Sequence, residues 1–227
     1  VAGTAGYDKI WDDVYEAGFS QNWPWDAVVS FVFRNAPRDK ARSEVSIFEV
    51  GFGTGSNLWF AAREGFSVHG IEGSAIAVGK AKRRLAEEGL AGDLRIGDFT
   101  RALDFVDGSF DLVIDRAAIT CAGMSVACDV IEEIRRVLKP GGAFLFSPYS
   151  KSHPVVGRAR EIGDGLMDDI VNSGLSGIGP ICFWDEEDIR RAFSRGWEIV
   201  SLGELSSKDH VDCRFDRAEW YVSAIKQ

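Results

Sequence analysis

The chain has 227 residues, a length that sets an expectation of one domain built around one sheet. Its 45% hydrophobic, 27% charged and 11% aromatic content is ordinary globular composition and excludes a mainly disordered or collagen-like chain. With 26 Lys and Arg against 35 Asp and Glu, the formal charge of −9 repels phosphate backbones and acidic lipid surfaces, which argues against nucleic-acid and membrane partners.

The N-terminal stretch Val1 to Gly6 lacks the basic-then-apolar pattern of a signal peptide, and no run is long and apolar enough to cross a bilayer. The expectation is a soluble, cytoplasmic chain. Cys121, Cys128, Cys182 and Cys213 form no C-x-x-C pair and are too few for a disulfide scaffold, so they read as reduced thiols buried as small hydrophobes.

In chain order, Tyr7, Trp11, Tyr15, Trp23 and Trp25 crowd the N-terminal segment ahead of a helix over Asp26–Arg34. Strands are expected at Ser46–Val50, Ser67–Glu72, Asp93–Ile96, Phe110–Asp115, Ala143–Ser147, Trp197–Leu205 and Glu219–Ile225. Several are continuous apolar runs, the pattern of parallel strands covered by helices on both faces. Helical patterns fall at Leu58–Glu64, Ser74–Glu88, Val126–Leu138 and Glu186–Phe193, the third stopped by Lys139-Pro140-Gly141-Gly142 and the last preceded by Asp185 in the N-cap place. Residues 150–182 carry six glycines and a weak helix pattern over Arg158–Val171, which suits either a mobile lid or a surface excursion. The polar connection Ser206–Arg217 makes the last two strands a hairpin.

The fold expected is therefore α/β: a Rossmann-like, doubly wound, mostly parallel seven-stranded sheet with an antiparallel last hairpin strand. A single domain over residues 1–227 would comprise an N-terminal helical cap (1–45), a cofactor-binding core (46–148), an inserted lid (150–182) and a C-terminal helix and hairpin (183–227).

The sharpest chemical signal is the strand-to-helix turn Glu49-Val50-Gly51-Phe52-Gly53-Thr54-Gly55. Glycines there permit positive φ and let a ligand approach bare backbone at a helix start. A dinucleotide fingerprint would place its third glycine at position 56, which is Ser56, and no Gly-Lys-Ser/Thr follows for a phosphate loop. The pattern is E-x-G-x-G-x-G, and with it the chain resembles the class I S-adenosylmethionine-dependent methyltransferases. The resemblance continues through Ile71-Glu72, Gly97-Asp98-Phe99, Phe110-Asp111-Leu112-Val113-Ile114-Asp115 and Ile134–Gly142 with its following strand, covering about Ser46 to Pro148 in order.

That resemblance implies S-adenosyl-L-methionine as cofactor. It implies contacts from Glu49, Gly51, Gly53, Thr54 and Gly55 of the turn, ribose binding by Glu72, adenine binding by Asp98 and Phe99, and a position for Asp115 and Arg116 near the methionine part and the acceptor. Methyl transfer from a sulfonium is a direct displacement in which positioning and exclusion of water supply much of the rate, and a general base is optional. For that base His153 is the first candidate and Asp115 the second, with His210 at the same end of the sheet and His69 structural within its strand.

No metal site is argued for: Asp115-Arg116 lacks a paired Asn, and Asp168-Asp169 reads as a solvated helix face. Asp115-Arg116-Ala117-Ala118 also replaces the Asn/Asp-Pro-Pro-aromatic run of base-amino methyltransferases, which turns the reading toward a small molecule, a sugar or secondary metabolite methylated at O or N. The aromatic N-terminal segment would cap the cofactor and line the acceptor pocket. Two alternatives stand beside this reading, a non-catalytic cofactor-binding partner subunit and a nicotinamide-dependent oxidoreductase, and a homodimer is left open.

Overall fold

The computed structural model describes residues 7–227, so the reading of Val1 to Gly6 falls outside it. Helices α1 (Ile10–Glu16) and α2 (Asp26–Asn35) precede strand β1 (Ser46–Val50). Then come α3 (Ser56–Arg63), β2 (Ser67–Glu72), α4 (Ala75–Glu87), β3 (Asp93–Ile96) and β4 (Phe110–Asp115). The chain continues through α5 (Met124–Val137), β5 (Leu138–Phe146), the short strands β6 (Arg160–Gly163), β7 (Leu166–Asp168) and β8 (Ile181–Cys182), then α6 (Glu186–Ala192), β9 (Trp197–Ser207) and β10 (Arg217–Lys226).

Seven strands form one sheet in the order β3-β2-β1-β4-β5-β10-β9. β1 to β5 run parallel, and β10 is antiparallel to both β5 and β9, as a hairpin closing a wound sheet requires. The apolar runs feed two cores because alternate residues point to opposite faces. Phe48, Val113 and Phe144 pack under α5 and α6, whereas Ile47, Leu112 and Leu145 pack under α2, α3 and α4.

Caps place several helix starts. Ser74 Oγ accepts the Ala77 amide at 3.3 Å to open α4, and Asp185 with Asp188 forms a reciprocal capping box on α6. The expected stop at Lys139–Gly142 becomes a bulge: α5 ends at Val137, Leu138 pairs with Phe110, and the register resumes at Ala143 with Leu112.

The expected helix over Arg158–Val171 is not formed. Gly163, Asp164 and Gly165 take φ of 106°, 51° and 73°, a left-handed run no right-handed helix can contain, and the segment is the β6–β7 hairpin of a small sheet with β8. Asp168 and Asp169 accordingly flank no helix; both pair with Arg160. Val155, Ile170, Leu175, Ile181 and Phe183 form a separate apolar cluster beneath this segment. All four cysteines are free, but Cys213 is exposed, against the expectation of burial. Among the described residues, no helix is long and apolar enough to cross a membrane.

Candidate active site

The C-terminal ends of β1, β2, β3 and β4 open on a cavity of about 410 Å³. Gly51 and Gly53 line it with φ of 60° and 53°. A Cβ on Gly51 would lie 2.2 Å from the Ala118 Cβ, and one on Gly53 would lie 2.8 Å from the Tyr15 hydroxyl, so both close approach and backbone conformation demand glycine. Gly55 differs. It precedes α3 and faces Ala81 of α4 at 2.8 Å, and it is absent from the lining, so its place is helix packing and not ligand contact.

Glu72 ends β2 buried, yet borders the cavity. Its Oε2 accepts the Gly53 amide and its Oε1 the Ser74 amide, each at 2.9 Å, which ties the β2 end to the glycine turn. Burial pushes its pKa up, and those amides pull it back. Glu49, on β1, accepts from Asn57 Nδ2 at 2.7 Å through Oε1, while Asn57 Oδ1 accepts the Trp25 amide at 3.1 Å. Its Oε2 is buried without a partner, and desolvation, with Asp115 and Glu72 nearby, pushes its pKa up to about 8.

Thr54 Oγ1 accepts the Gln21 amide at 3.2 Å and so pins the α1–α2 connection to the turn. Lys80 and Arg84 of α4 hold the same cover from outside by donating to the carbonyls of Tyr15, at 2.6 Å, and Gln21, at 3.2 Å. Asp98 and Phe99 line the cavity beyond β3, with Asp98 Oδ1 accepting from the Thr100 amide and hydroxyl.

Two expected residues are not where chemistry would need them. Asp115 is fully buried and outside the lining; its Oδ1 accepts the amides of Ala118 and Ile119 at 3.0 and 2.9 Å, so it shapes the turn after β4. Desolvation pushes its pKa up to about 6, the two amides opposing. His153 is also buried outside the lining. Its Nδ1 accepts the Val155 amide at 3.2 Å, its ring packs on Phe183, and burial lowers its pKa. The β5–β6 connection turns it into the apolar cluster below the cavity, which removes it as a base. His210 is exposed, and His69 bonds Ser67 within β2 at 3.1 Å.

The structure adds lining residues that spacing alone does not single out. Tyr149, which follows β5, and Leu175 and Ile178 line the cavity, as do Trp11 and Tyr15 of α1, which the aromatic N-terminal segment already led us to expect there. Arg116 joins them, ion-paired to Glu219 of β10 at 2.5 Å. The resemblance already implies a place for Arg116 beside the acceptor, but its partner Glu219 lies too far along the chain to be inferred.

A methyltransferase-domain family model matches residues 47–142, the stretch that holds β1 to α5 and the glycine turn. A sterol 24-C-methyltransferase of Gibberella zeae is 31% identical over 248 residues, covering 96% of this chain and 58% of that protein. Over residues 47–142 the chain is a methyltransferase domain of the class I S-adenosylmethionine-dependent kind. A sarcosine/dimethylglycine N-methyltransferase of Aphanothece halophytica is 27% identical, covering 79% of this chain and 62% of that protein. The chain thus spans about 58% of the length of the sterol methyltransferase it matches. A solved structure concerned with converting a disulfide bond into a thioacetal during echinomycin biosynthesis shares the fold, with a TM-score of 0.70 at 19% identity over 97% of this chain and 93% of that one.

S-adenosylmethionine is the cofactor of this methyltransferase family, and the cavity fits it. A buried carboxylate at a strand end (Glu72) keeps lone pairs free for two hydroxyls, and the orphan Oε2 of Glu49 sits ready for a cation. Bare backbone at Gly51 and Gly53 admits a close ligand, and the Phe99 ring offers an apolar face. The nicotinamide alternative is set aside with that membership.

Proposed function

We propose that this chain moves a methyl group from S-adenosylmethionine to O or N of a small molecule held in the cavity. The observation that carries the reading is one cavity, about 410 Å³, whose lining includes Glu72 and Phe99 together with Trp25, Tyr149 and Leu175. That volume lies in the range of pockets that enclose small ligands. The charge of −9 and the cover from α1 support a small acceptor over a nucleic acid.

In this reading Glu72 accepts the ribose hydroxyls, Asp98 and Phe99 hold the adenine, and the Gly51–Thr54 backbone and Glu49 face the amino-acid portion. Bound there, the cofactor supplies an electrophilic methyl on a sulfonium. The chain contributes orientation and dryness: Tyr15, Trp11 and Trp25 exclude water, and the closed turn fixes distance. No histidine among the described residues lines the cavity. Burial pushes the Tyr149 hydroxyl and the Cys121 thiol up to about 12, so both keep their protons at neutral pH and act as donors, not bases. An acceptor that attacks through a lone pair already free, an amine nitrogen above all, suits such a wall.

The relatives act, by name, at a sterol carbon and at sarcosine nitrogen, so the shared fold does not choose the acceptor atom. Calorimetry with S-adenosylhomocysteine tests the cofactor half: binding by the wild type and its loss in Gly53→Arg are expected, and equal behaviour of the two would overturn it. Methyl-labelled cofactor with an amine and alcohol panel tests the transfer, and binding without any product would leave the partner-subunit reading standing instead.

A further inference from the structure

Arg116 is a buried cation with most of its hydrogen-bonding capacity unused. Its side chain is 6% exposed, and among the described residues its side-chain hydrogen bond goes to Glu219, itself 4% exposed, from Nη2 to Oε2 at 2.5 Å. Its Nε is buried without a partner. A guanidinium presents five N–H donors in a planar fork, and leaving such donors dry is costly. Glu219 does not satisfy the rest, because its Oε1 is taken by the Tyr221 hydroxyl at 2.6 Å.

The fork is also held in plane. Its central carbon lies 4.0 Å from the centroid of the Trp25 ring, and both residues line the cavity. Arg116 is the one basic residue among the described lining residues, whereas Asp8, Glu49, Glu72 and Asp98 make the remainder acidic. An anionic group entering this cavity therefore has one favourable place. The sheet order sets that place apart: Glu72 ends β2 and Arg116 follows β4, with β1 between them, roughly 10 Å at ordinary strand spacing.

We propose that Arg116 is the receptor for a carboxylate carried by the methyl acceptor. A planar carboxylate can take two parallel N–H bonds from the fork, and Trp25 and Glu219 pre-set the fork's orientation before the ligand arrives. Arg116 would be a specificity residue that orients the acceptor. The proposal rests on the methyl-transfer reading of the same cavity. The methionine carboxylate of the cofactor is the other source of this chemistry, and the experiment separates the two.

Wild type saturated with S-adenosylhomocysteine is titrated with small carboxylates and their matched primary amides, among them benzoate with benzamide and indole-3-acetate with indole-3-acetamide. The carboxylates should bind about tenfold or more tightly than their amides. That preference should vanish in Arg116→Gln and return in part in Arg116→Lys. Because Arg116→Gln strands the buried Glu219, the double variant Arg116→Gln/Glu219→Gln, checked for folding by its melting curve, repeats the measurement. In parallel, S-adenosylhomocysteine and its decarboxylated analogue are titrated into wild type and variant. Equal small effects on both place the carboxylate on the acceptor. A loss confined to S-adenosylhomocysteine assigns Arg116 to the cofactor and overturns the proposal, as does a wild type with no carboxylate preference or a preference that survives both Gln variants. Failure of the wild type to bind S-adenosylhomocysteine at all would instead overturn the methyl-transfer reading.

Discussion

The Gly53 amide donates to Oε2 of Glu72 across 2.9 Å, so the carboxylate that faces the cavity also shapes the turn beside it. Its other oxygen accepts the Ser74 amide at the same distance. Glu72→Gln replaces one of these acceptors with an NH₂ that meets an N–H, and Glu72→Ala removes both. Each should weaken S-adenosylhomocysteine binding by about 1–3 kcal/mol, measured by calorimetry. Unchanged affinity in both variants would take Glu72 out of the site.

Gly53 and Tyr15 form a second pair with a measurable consequence. Gly53→Ala places a methyl 2.8 Å from the Tyr15 hydroxyl at φ of 53°, and should cost about 1–2 kcal/mol from backbone strain before any steric cost. Adding Tyr15→Phe should recover the steric part and leave the strain, visible as a partial return of the melting temperature. Gly55→Ala, whose methyl meets Ala81 at 2.8 Å, should show no such rescue.

The first four strands were legible to the residue because each ends at a glycine or an acid, and because β1 and β4 are mostly apolar runs buried on both faces. Glu49, Glu72, Asp98 and Phe99 line the cavity because each sits close to the C-terminal end of a parallel strand, a place that the strand pattern alone marks out. The helix expected over Arg158–Val171 is absent: apolar spacing there also fits a helix, but three consecutive residues at positive φ decide otherwise. His153 and the Arg116–Glu219 pair depend on how distant segments meet, 103 residues apart in the latter case, which no local pattern encodes. Helix α1 falls within the expected N-terminal helical cap, but its bounds could not be read: its seven residues are too short for a strong period, and α4 side chains hold it in place.

His153 provides a direct test of that difference. With Nδ1 accepting from Val155 and the ring against Phe183, His153→Ala should lower the melting temperature through lost packing and an unsatisfied amide. The pH profile of methyl transfer should keep its shape. A profile that loses an ionisation near the usual histidine range would restore His153 as a base.

Asp164 fastens the β6–β7 hairpin to the start of α5. Its Oδ2 accepts the Ser125 hydroxyl at 2.6 Å, its Oδ1 accepts the Ser125 amide at 3.0 Å, and its carbonyl accepts the Met124 amide at 2.8 Å, all at the start of α5. Asp164→Ala should cost about 1–2 kcal/mol, the loss of a helix-start cap plus a non-glycine residue left at positive φ without its polar side chain. Asp164→Gly should cost less by relieving φ. Hydrogen exchange should show faster opening of β6 and β7 in the alanine variant, and equal protection would mean that the hairpin is held elsewhere.

Glu49 should make the stability of the ligand-free protein fall as pH rises. Its pKa, ordinarily 4.5, is pushed up to about 8 by burial, so between those values the folded chain holds a proton that the unfolded chain has released. Raising pH through that window therefore favours unfolding, and above about 8 the effect is complete. Glu49→Gln, which cannot ionise, should gain stability over wild type progressively from pH 5 to 8 and keep a constant lead beyond, read from urea unfolding at each pH. A cation delivered into the cavity reverses the preference, because it stabilises the ionised carboxylate whose Oε2 now lacks a partner. S-adenosylhomocysteine, which carries an ammonium, should then release protons on binding at pH 7, seen as a binding enthalpy that differs between phosphate and Tris by the buffers' ionisation heats. Stability curves that stay parallel, with a buffer-independent enthalpy, would show that Glu49 is already ionised in its buried place.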